Sequence, residues 1–311
     1  MNFDGTTYYG DYSLEDKLSQ NIITYLKYGL LEVGAYYNVN RGTLDYNNNN
    51  PALLRRAGFA SSTGARIFQG LKNDWVWESG INPSYTGGYS PTNISGIYVN
   101  NQFIANNTAY SGINFHINYS LGQVEFDSDI QSDARVEINH TIRAVNVYSV
   151  DSIFYKNLIA YYQDRTNWDL AGSGIDNINN NYKAYLPAIF VNIDGYSSRG
   201  LEIGSRAKYA EANVEFDIFA TNPQDRKRLS DYCYMLEEKG FLLFNPNTAP
   251  RPLTSSGTIS NNTKTWPDLV SQYNYGQARF QGNARVHKNY NYLPIQYCKV
   301  SITLDTPVFT R

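Results

Sequence analysis

The stretch 211–245 constrains the fold more than any other part of the chain. Val214, Phe216 and Ile218 alternate with Glu215 and Asp217, the period-two pattern of a strand with one face buried and the other turned to solvent. Asn222 then offers a side-chain oxygen to the free N–H groups of a helix start, and Pro223 suits the first helical position. Asp225 places negative charge in the first turn, where the peptide dipoles favour it. Leu229, Tyr232, Cys233 and Leu236 recur at helical spacing, and Gly240 is expected to end the helix as a left-handed cap. Residues 241–244, Phe-Leu-Leu-Phe, read as a second apolar strand. Strand, capped helix and strand follow one another with little slack, and the unit carries no visible catalytic chemistry.

The remaining chain sorts around this unit. Residues 1–12 are rich in Gly, Tyr and Thr and read as an extended arm. A helix is expected over 13–32, with Ser13 and Asp16 at N-cap and N3 spacing. Leu14, Leu18, Ile22, Leu26, Leu30 and Val33 line one stripe, so the helix must pack on something. Residues 36–50 read as a polar loop, and 51–57 as a short helix stopped at Gly58. From 65 to 149 the pattern becomes short alternating runs. Ile97-Tyr98-Val99 and Gln102-Phe103-Ile104 flank Asn100-Asn101, whose residues tolerate the positive φ of a tight hairpin. Ile113, Phe115 and Ile117, then 124–126, 135–138 and 145–148, continue the series, which implies an antiparallel sandwich or barrel. Residues 152–162 fit either helix or strand, 170–182 a Gly/Asn-rich loop, 188–193 an apolar strand and 201–204 a short one. A long exposed loop is expected over 245–271, a connection long enough to be functional or mobile. Ala278, Phe280, Ala284 and Val286 alternate as one strand, and Val300, Ile302 and Leu304 face one way in the last.

The fold class is therefore α+β: a C-terminal mixed sheet with packed helices plus an antiparallel β-sandwich module. The expected divisions are an arm (1–12), a helix and loop packing on the C-terminal domain (13–59), the β-module (60–150) and the α+β domain (151–311). At 311 residues the chain can bury a substantial core.

The residues argue against several chemistries. Three histidines, His116, His140 and His287, sit singly on alternating stretches and read as solvent-facing or loosely packed. None has a His or Cys partner at ligand spacing. There is no nucleophile elbow and no phosphate loop, and Gly172-Ser173-Gly174 reads as a plain turn. Asp127, Asp129 and Asp133 resemble a calcium loop only in their alternation; the Gly and Glu that such a loop requires are missing, so a plain acidic turn is the reading. A glycosidase pair of carboxylates converges in space rather than in sequence and stays open. Trp75, Trp77, Trp168 and Trp266 could line a sugar groove, but core or interface positions fit them better. Cys233 and Cys298 read as buried free thiols, which favours folding in a reducing compartment. No apolar run is long enough to span a membrane, and Met1-Asn2-Phe3-Asp4 does not open a signal peptide. A net charge of −2 invites no nucleic acid.

Charged residues are few, at 17%, whereas there are 28 tyrosines and many asparagines. Tyrosine gives wide contact area at low entropy cost, and an AT-rich genome would also inflate Tyr, Asn and Ile. The densest basic run is Arg226-Lys227-Arg228, on the helix face away from Leu229 and Leu236. It reads as a solvated face or as a contact to a neighbour's acids. Arg55-Arg56 has the same standing.

Two stretches resemble proteins of tailed bacteriophages. Residues 113–150 (Ile-Asn-Phe-His-Ile-Asn-Tyr-Ser-Leu-Gly-Gln-Val-Glu-Phe, then Ala-Arg-Val-Glu-Ile-Asn-His-Thr-Ile-Arg) look like a β-module of phage virion proteins. The segments 186–191, 214–220 and 241–244, with Asn222-Pro223, Asp225 and Leu229, are similar to tail-terminator and head–tail joining proteins. The resemblance covers under half of the chain and is structural in kind. The chain is longer than most terminators, and its β-module precedes the α+β part. The resemblance implies a non-enzymatic subunit of a ring, usually a hexamer, in the neck or tail-completion region of a virion assembled in the host cytoplasm. Its partners would be copies of itself, the connector side and the tail-tube side, with DNA passing without specific binding and with no cofactor, metal or membrane. Interface candidates are then Tyr8, Tyr9 and Tyr12 of the arm, Arg226 and Arg228 of the helix, and Arg251 and Trp266 of the 245–271 loop. Three other readings remain: another neck, baseplate or tail component of the virion, a receptor- or glycan-binding virion protein using the sandwich and its tryptophans, and a glycoside hydrolase.

Overall fold

The computed structural model describes residues 14–44, 50–57, 64–78, 81, 90–131, 133–163, 184–200, 207–260, 263–292 and 295–309. The arm, Ser13, Trp168, the Gly172–Gly174 turn and the expected strand at 201–204 lie outside these residues. The described residues fall into two compact units: those within 1–28, 145–250 and 264–311, and those within 29–144 and 251–263. The sequence had placed divisions at 59/60 and 150/151; the clusters divide at 28/29 and 144/145, and the second unit also takes a segment from the expected 245–271 loop.

The first unit is built on one mixed sheet. Its strands are β10 (Asn146–Ser149), β11 (Ala188–Gly200), β12 (Ala207–Ala220), β13 (Gly240–Phe244), β14 (Asn274–Phe280), β15 (Arg285–Tyr292) and β16 (Ile295–Phe309), in the order β10-β11-β12-β16-β14-β13, with β15 also beside β16. Only the β10–β11 pair is parallel. β12 lies at the centre, paired to β11 on one side and to β16 along its whole length on the other. Val214, Phe216 and Ile218 are buried on one face as their alternation predicts. Asp217 departs from the pattern: it is buried as well, because α2 (Ile153–Gln163) brings Tyr155 onto that face. The ambiguous 152–162 segment is thus a helix, and it packs Leu158, Phe154 and Tyr155 against Tyr148, Phe190 and Phe219.

The β12 exit follows the sequence closely. Asn222 caps α3 (Pro223–Tyr234) by accepting from the Asp225 N–H at 2.8 Å, with Pro223 in the first turn. Leu229, Cys233 and Leu236 are buried, and both cysteines are free thiols. Gly240 does not cap this helix. The left-handed residue is Glu238 (φ 62°), in a tight turn that follows Tyr234, and Gly240 opens β13 instead.

Helix α1 (Leu14–Glu32) supplies the cover expected of it. Leu18, Ile22, Leu26 and Leu30 are buried, while Val33 lies past the helix end and is exposed. Within the first unit α1 meets β13: Tyr25 stacks on Phe241 at 4.9 Å. Asn21, also buried, donates to the Phe244 carbonyl at 3.0 Å and accepts from the Phe244 N–H at 2.8 Å. One side-chain amide therefore does the work of a missing strand at the sheet edge.

The expected 245–271 loop contains a helix, α4 (Trp266–Gln272), started by a capping box between Thr265 and Asp268. Thr265-Trp-Pro-Asp268 carries this signal, which the surrounding Pro, Ser and Asn obscure. The run from Ala278 to Val286 is two strands, because residues 281–284 leave the sheet between β14 and β15.

The second unit is antiparallel throughout. One sheet has the order β2-β3-β7-β6 (Arg55–Ala57, Gly64–Gln69, Gln123–Gln131 and Phe115–Asn118). A second has β5-β4-β8 (Gln102–Ala105, Gly96–Val99 and Val136–Glu137), and β1 (Tyr36–Val39) pairs with β9 (His140–Arg143). Phe68, Val124 and Phe126 of the first share a core with Ile97, Val99 and Val136 of the second, as in a sandwich. Asn100 and Asn101 close the β4–β5 hairpin at φ 49° and 69°, the paired positive values of a two-residue turn.

Several expectations fail here. Residues 36–39 form a strand, its ends Tyr36 and Val39 buried but its middle polar, which hides the pattern. Residues 55–57 pair with β3 instead of forming a helix. The 145–148 run belongs to the large sheet through its parallel pairing with β11. Asp127 and Asp129 are not in a turn: they lie within β7, where several residues bulge opposite Arg66, whose guanidinium bonds the carbonyls of Phe126 and Asp127. From the 251–263 segment, the Gly257 carbonyl accepts from the Tyr119 N–H at 2.9 Å. Gly257 has φ +73°, and a Cβ there would lie 2.0 Å from Asn118 Oδ1, so only glycine fits.

Replacing Asn21 by Ala strands the Phe244 N–H and C=O in the interior. Roughly 2–4 kcal/mol of stability should be lost, read from urea unfolding. A loss below about 0.5 kcal/mol would show that the edge does not need this amide.

Candidate functional site

The sequence-nominated interface residues are dispersed. Tyr8, Tyr9 and Tyr12 lie outside the described residues. Arg226 is half-buried and Arg228 exposed on α3, and neither has a carboxylate partner among the described residues. Arg251 is exposed and belongs to the second unit. Trp266 opens α4, where Tyr25 and Tyr28 hold its ring at centroid distances of 5.1 and 6.0 Å. Its surface is thus spent largely within its own unit. Trp75 is fully buried and presents no sugar-stacking face, and the partly buried Trp77 packs against the same core.

The histidines differ from one another. His116 Nε2 lies 3.1 Å from Glu125, and the exposed His287 lies 3.1 Å from Ser301 Oγ. His140 is not solvent-facing: it is buried under Trp75, ring centroids 4.4 Å apart, with Nδ1 3.2 Å from the Ile138 carbonyl. Burial pulls its pKa down to about 4. The period-two pattern could not reveal this, because a second layer of chain covers the face that alternation assigns to solvent. Among the described residues, no three His, Cys, Asp or Glu side chains are grouped to hold a metal ion, and no helix is long and apolar enough to cross a membrane.

Two polar constellations stand out. The first lies on the α2-facing side of the large sheet. Buried Asp217 accepts from Tyr297 at 2.6 Å and from Tyr155 at 3.1 Å. Beside it Lys299 donates to Glu215 at 2.8 Å, and Asn192 donates to the same Glu215 oxygen at 3.1 Å. Cross-strand register explains the meeting, since Asp217 faces Lys299 and Glu215 faces Asn192. Burial and the Asp217 charge push the Tyr155 phenol up to about 12, and the same causes raise Tyr297. Burial alone would raise Glu215, but the bonds from Lys299 and Asn192 outweigh it and hold the carboxyl below its ordinary range. The cluster keeps the Glu215 carboxyl charged and its phenols protonated at neutral pH, the state of a fixed strut rather than of a proton-transfer pair poised near neutrality.

The second constellation centres on Glu137 in β8. Its side chain is almost wholly buried, and both oxygens are engaged. Oε2 accepts from Arg41 Nε at 2.8 Å; Oε1 accepts from Asn50 at 2.7 Å and from Arg135 at 2.9 Å. Arg41 lies over the Tyr98 ring at 4.6 Å, its backbone N–H donates to Asn139 Oδ1 at 2.7 Å, and its guanidinium also bonds Asn101 Oδ1. Burial acts to raise the Glu137 pKa, but the hydrogen bonds from Arg41, Arg135 and Asn50 bring it below the usual value. These groups line an open depression of about 450 Å³. No sequence signal announces it: Glu137 sits at an outward position of a plain alternating strand, and Arg41 and Asn50 come from a stretch that reads as loop.

A third ionic group, Arg143 with Glu78 at 2.6 and 2.7 Å and Asp74 at 3.5 Å, is closed off from solvent and serves packing. Comparison with protein-family models gives no match, and no curated protein is similar in sequence.

The buried His140 yields a pH prediction. Its folded pKa lies below the ordinary 6.5, so above pH 6.5 folding carries no proton penalty. As pH falls from 6.5 toward 4 the unfolded chain takes up a proton that the native ring refuses, and roughly 3 kcal/mol of stability is lost. A His140→Phe variant should show a correspondingly flatter profile over that window in urea unfolding. An unchanged slope would assign the acid sensitivity to other groups.

Proposed function

We propose that this chain is a structural, non-enzymatic subunit of a tailed-phage virion, assembling as a ring in the neck or tail-completion region. The sequence resemblance is one support. The fold adds a strand, an Asn-Pro-capped helix and a strand on a mixed sheet covered by an N-terminal helix, the layout that the resemblance implies. The observation that carries the reading to assembly is β15. This eight-residue strand is paired only to β16 among the described residues, so its other edge offers unpaired backbone groups to an incoming strand. Arg285 and His287 on it are exposed. A heterologous contact repeated about an axis closes a ring, and an open backbone edge such as that of β15 suits such a contact. The exposed Tyr196, Tyr234, Met235 and Leu242 of the same unit add apolar contact area.

The ring reading predicts a discrete closed oligomer in light scattering and electron microscopy, or the chain's presence in purified particles. Arg285→Glu should shift the population toward monomer by about ten-fold or more in dissociation constant, with the melting temperature of the monomer little changed. A chain that stays monomeric at high concentration and is absent from particles overturns the proposal.

A further inference from the structure

We infer that the depression around Arg41, Tyr98 and Arg135 is a binding site for an acidic saccharide, a sugar ring carrying a carboxylate. The inference is independent of the ring reading, because the site lies wholly within the second unit.

Charge comes first. Among the described residues, two guanidinium groups and one carboxylate meet at the depression, an excess of one positive charge. Glu137 is the buried member, whereas the Arg41 and Arg135 side chains are 32% and 54% exposed. The positive groups therefore face the opening and the negative one lies beneath them.

Donor supply comes next. A guanidinium carries five N–H donors. Among the described residues Arg41 spends its Nε and one terminal nitrogen, on Glu137 and Asn101, and Arg135 spends one terminal nitrogen on Glu137. The side-chain amide of Asn139 accepts from Arg41 through its oxygen, which leaves its NH₂ as a further donor. A donor-rich basin of this kind suits an oxyanion, and the planar fork of arginine suits a carboxylate in particular.

Preorganisation separates this site from a surface arginine pair. Glu137 and the Tyr98 ring fix the Arg41 guanidinium in advance, so little side-chain entropy remains to be lost on binding. A buried ion pair adds little stability over an apolar replacement, whereas a carboxylate that orients two arginines serves recognition directly.

The shape selects the sugar. A depression of about 450 Å³ is larger than a lone carboxylate needs and falls in the range of small-molecule sites. The half-exposed Phe103 ring lies 5.1 Å from the lining residue Tyr98, across the β4–β5 pair. Its apolar face can take the C–H side of a pyranose while the arginines hold the acid.

The test is calorimetric or NMR titration of the full chain with glucuronic acid oligosaccharides and with sialyllactose. Neutral sugars of equal size, a poly-glutamate peptide and inorganic phosphate are the comparators. The expected result is saturable binding of at least one acidic saccharide and at least ten-fold weaker binding of all comparators. Arg135→Gln should weaken the acidic saccharide about ten-fold while keeping a cooperative melting transition, at a lower temperature because Glu137 loses a charged partner; Phe103→Ala, on an exposed side chain, should weaken it several-fold. No binding by either acidic saccharide, equal binding of phosphate or the peptide, or unchanged affinity in a folded Arg135→Gln variant would each overturn the inference.

Discussion

The structure of the larger sheet depends on the pairing of β12 along both of its edges. All fourteen of its residues pair with β16 on one side, and most of them pair with β11 on the other across one bulge, so the strand can be buried deeply with its backbone groups paired. Everything else in that unit hangs on this ladder. α3 starts where β12 ends, α2 covers the face that carries Asp217 and Phe219, and the Asp217–Tyr297 and Glu215–Lys299 contacts are cross-strand neighbours fixed by its register.

The far edge of the sheet shows the same demand met differently. β13 has β14 on one side only, and the helix above it supplies Asn21 as a substitute partner for Phe244. An asparagine at a buried helical position looks like a flaw in an apolar stripe; here it is what allows a helix to lie against a strand edge. The two polar constellations follow a related logic. Each uses a carboxylate on a strand to hold neighbouring donors in one geometry, but on the large sheet the ensemble is closed by α2, and in the second unit it opens to solvent.

How far sequence reached depended on the range of the cause. Signals confined to a few residues read correctly: the Asn222 cap, the Asn100-Asn101 hairpin and the Val214–Ile218 alternation. Errors arose where a distant element decided. Tyr36–Val39 is a strand because β9 is there to pair with it. The 145–148 run changed sheets because β11 offered a parallel edge. His140 and Asp217 sit at outward positions that a second layer covers. The Glu137 depression was not legible, since its parts come from 41, 50, 98 and 135–139, and no local pattern links them.

The way the chain is threaded bears on how it is made. The first unit is assembled from three separate lengths of polypeptide, and β12 must wait for β16, the last strand of the sheet, to complete its second edge. During synthesis on the ribosome, a fully formed hairpin of β11 and β12 therefore emerges with one side unsatisfied while the residues between Ala220 and Ile295 are still being added. That interval exposes a long apolar ribbon to other nascent copies. The hazard of misassembly is greatest in that interval and falls when β16 zips into place against β12.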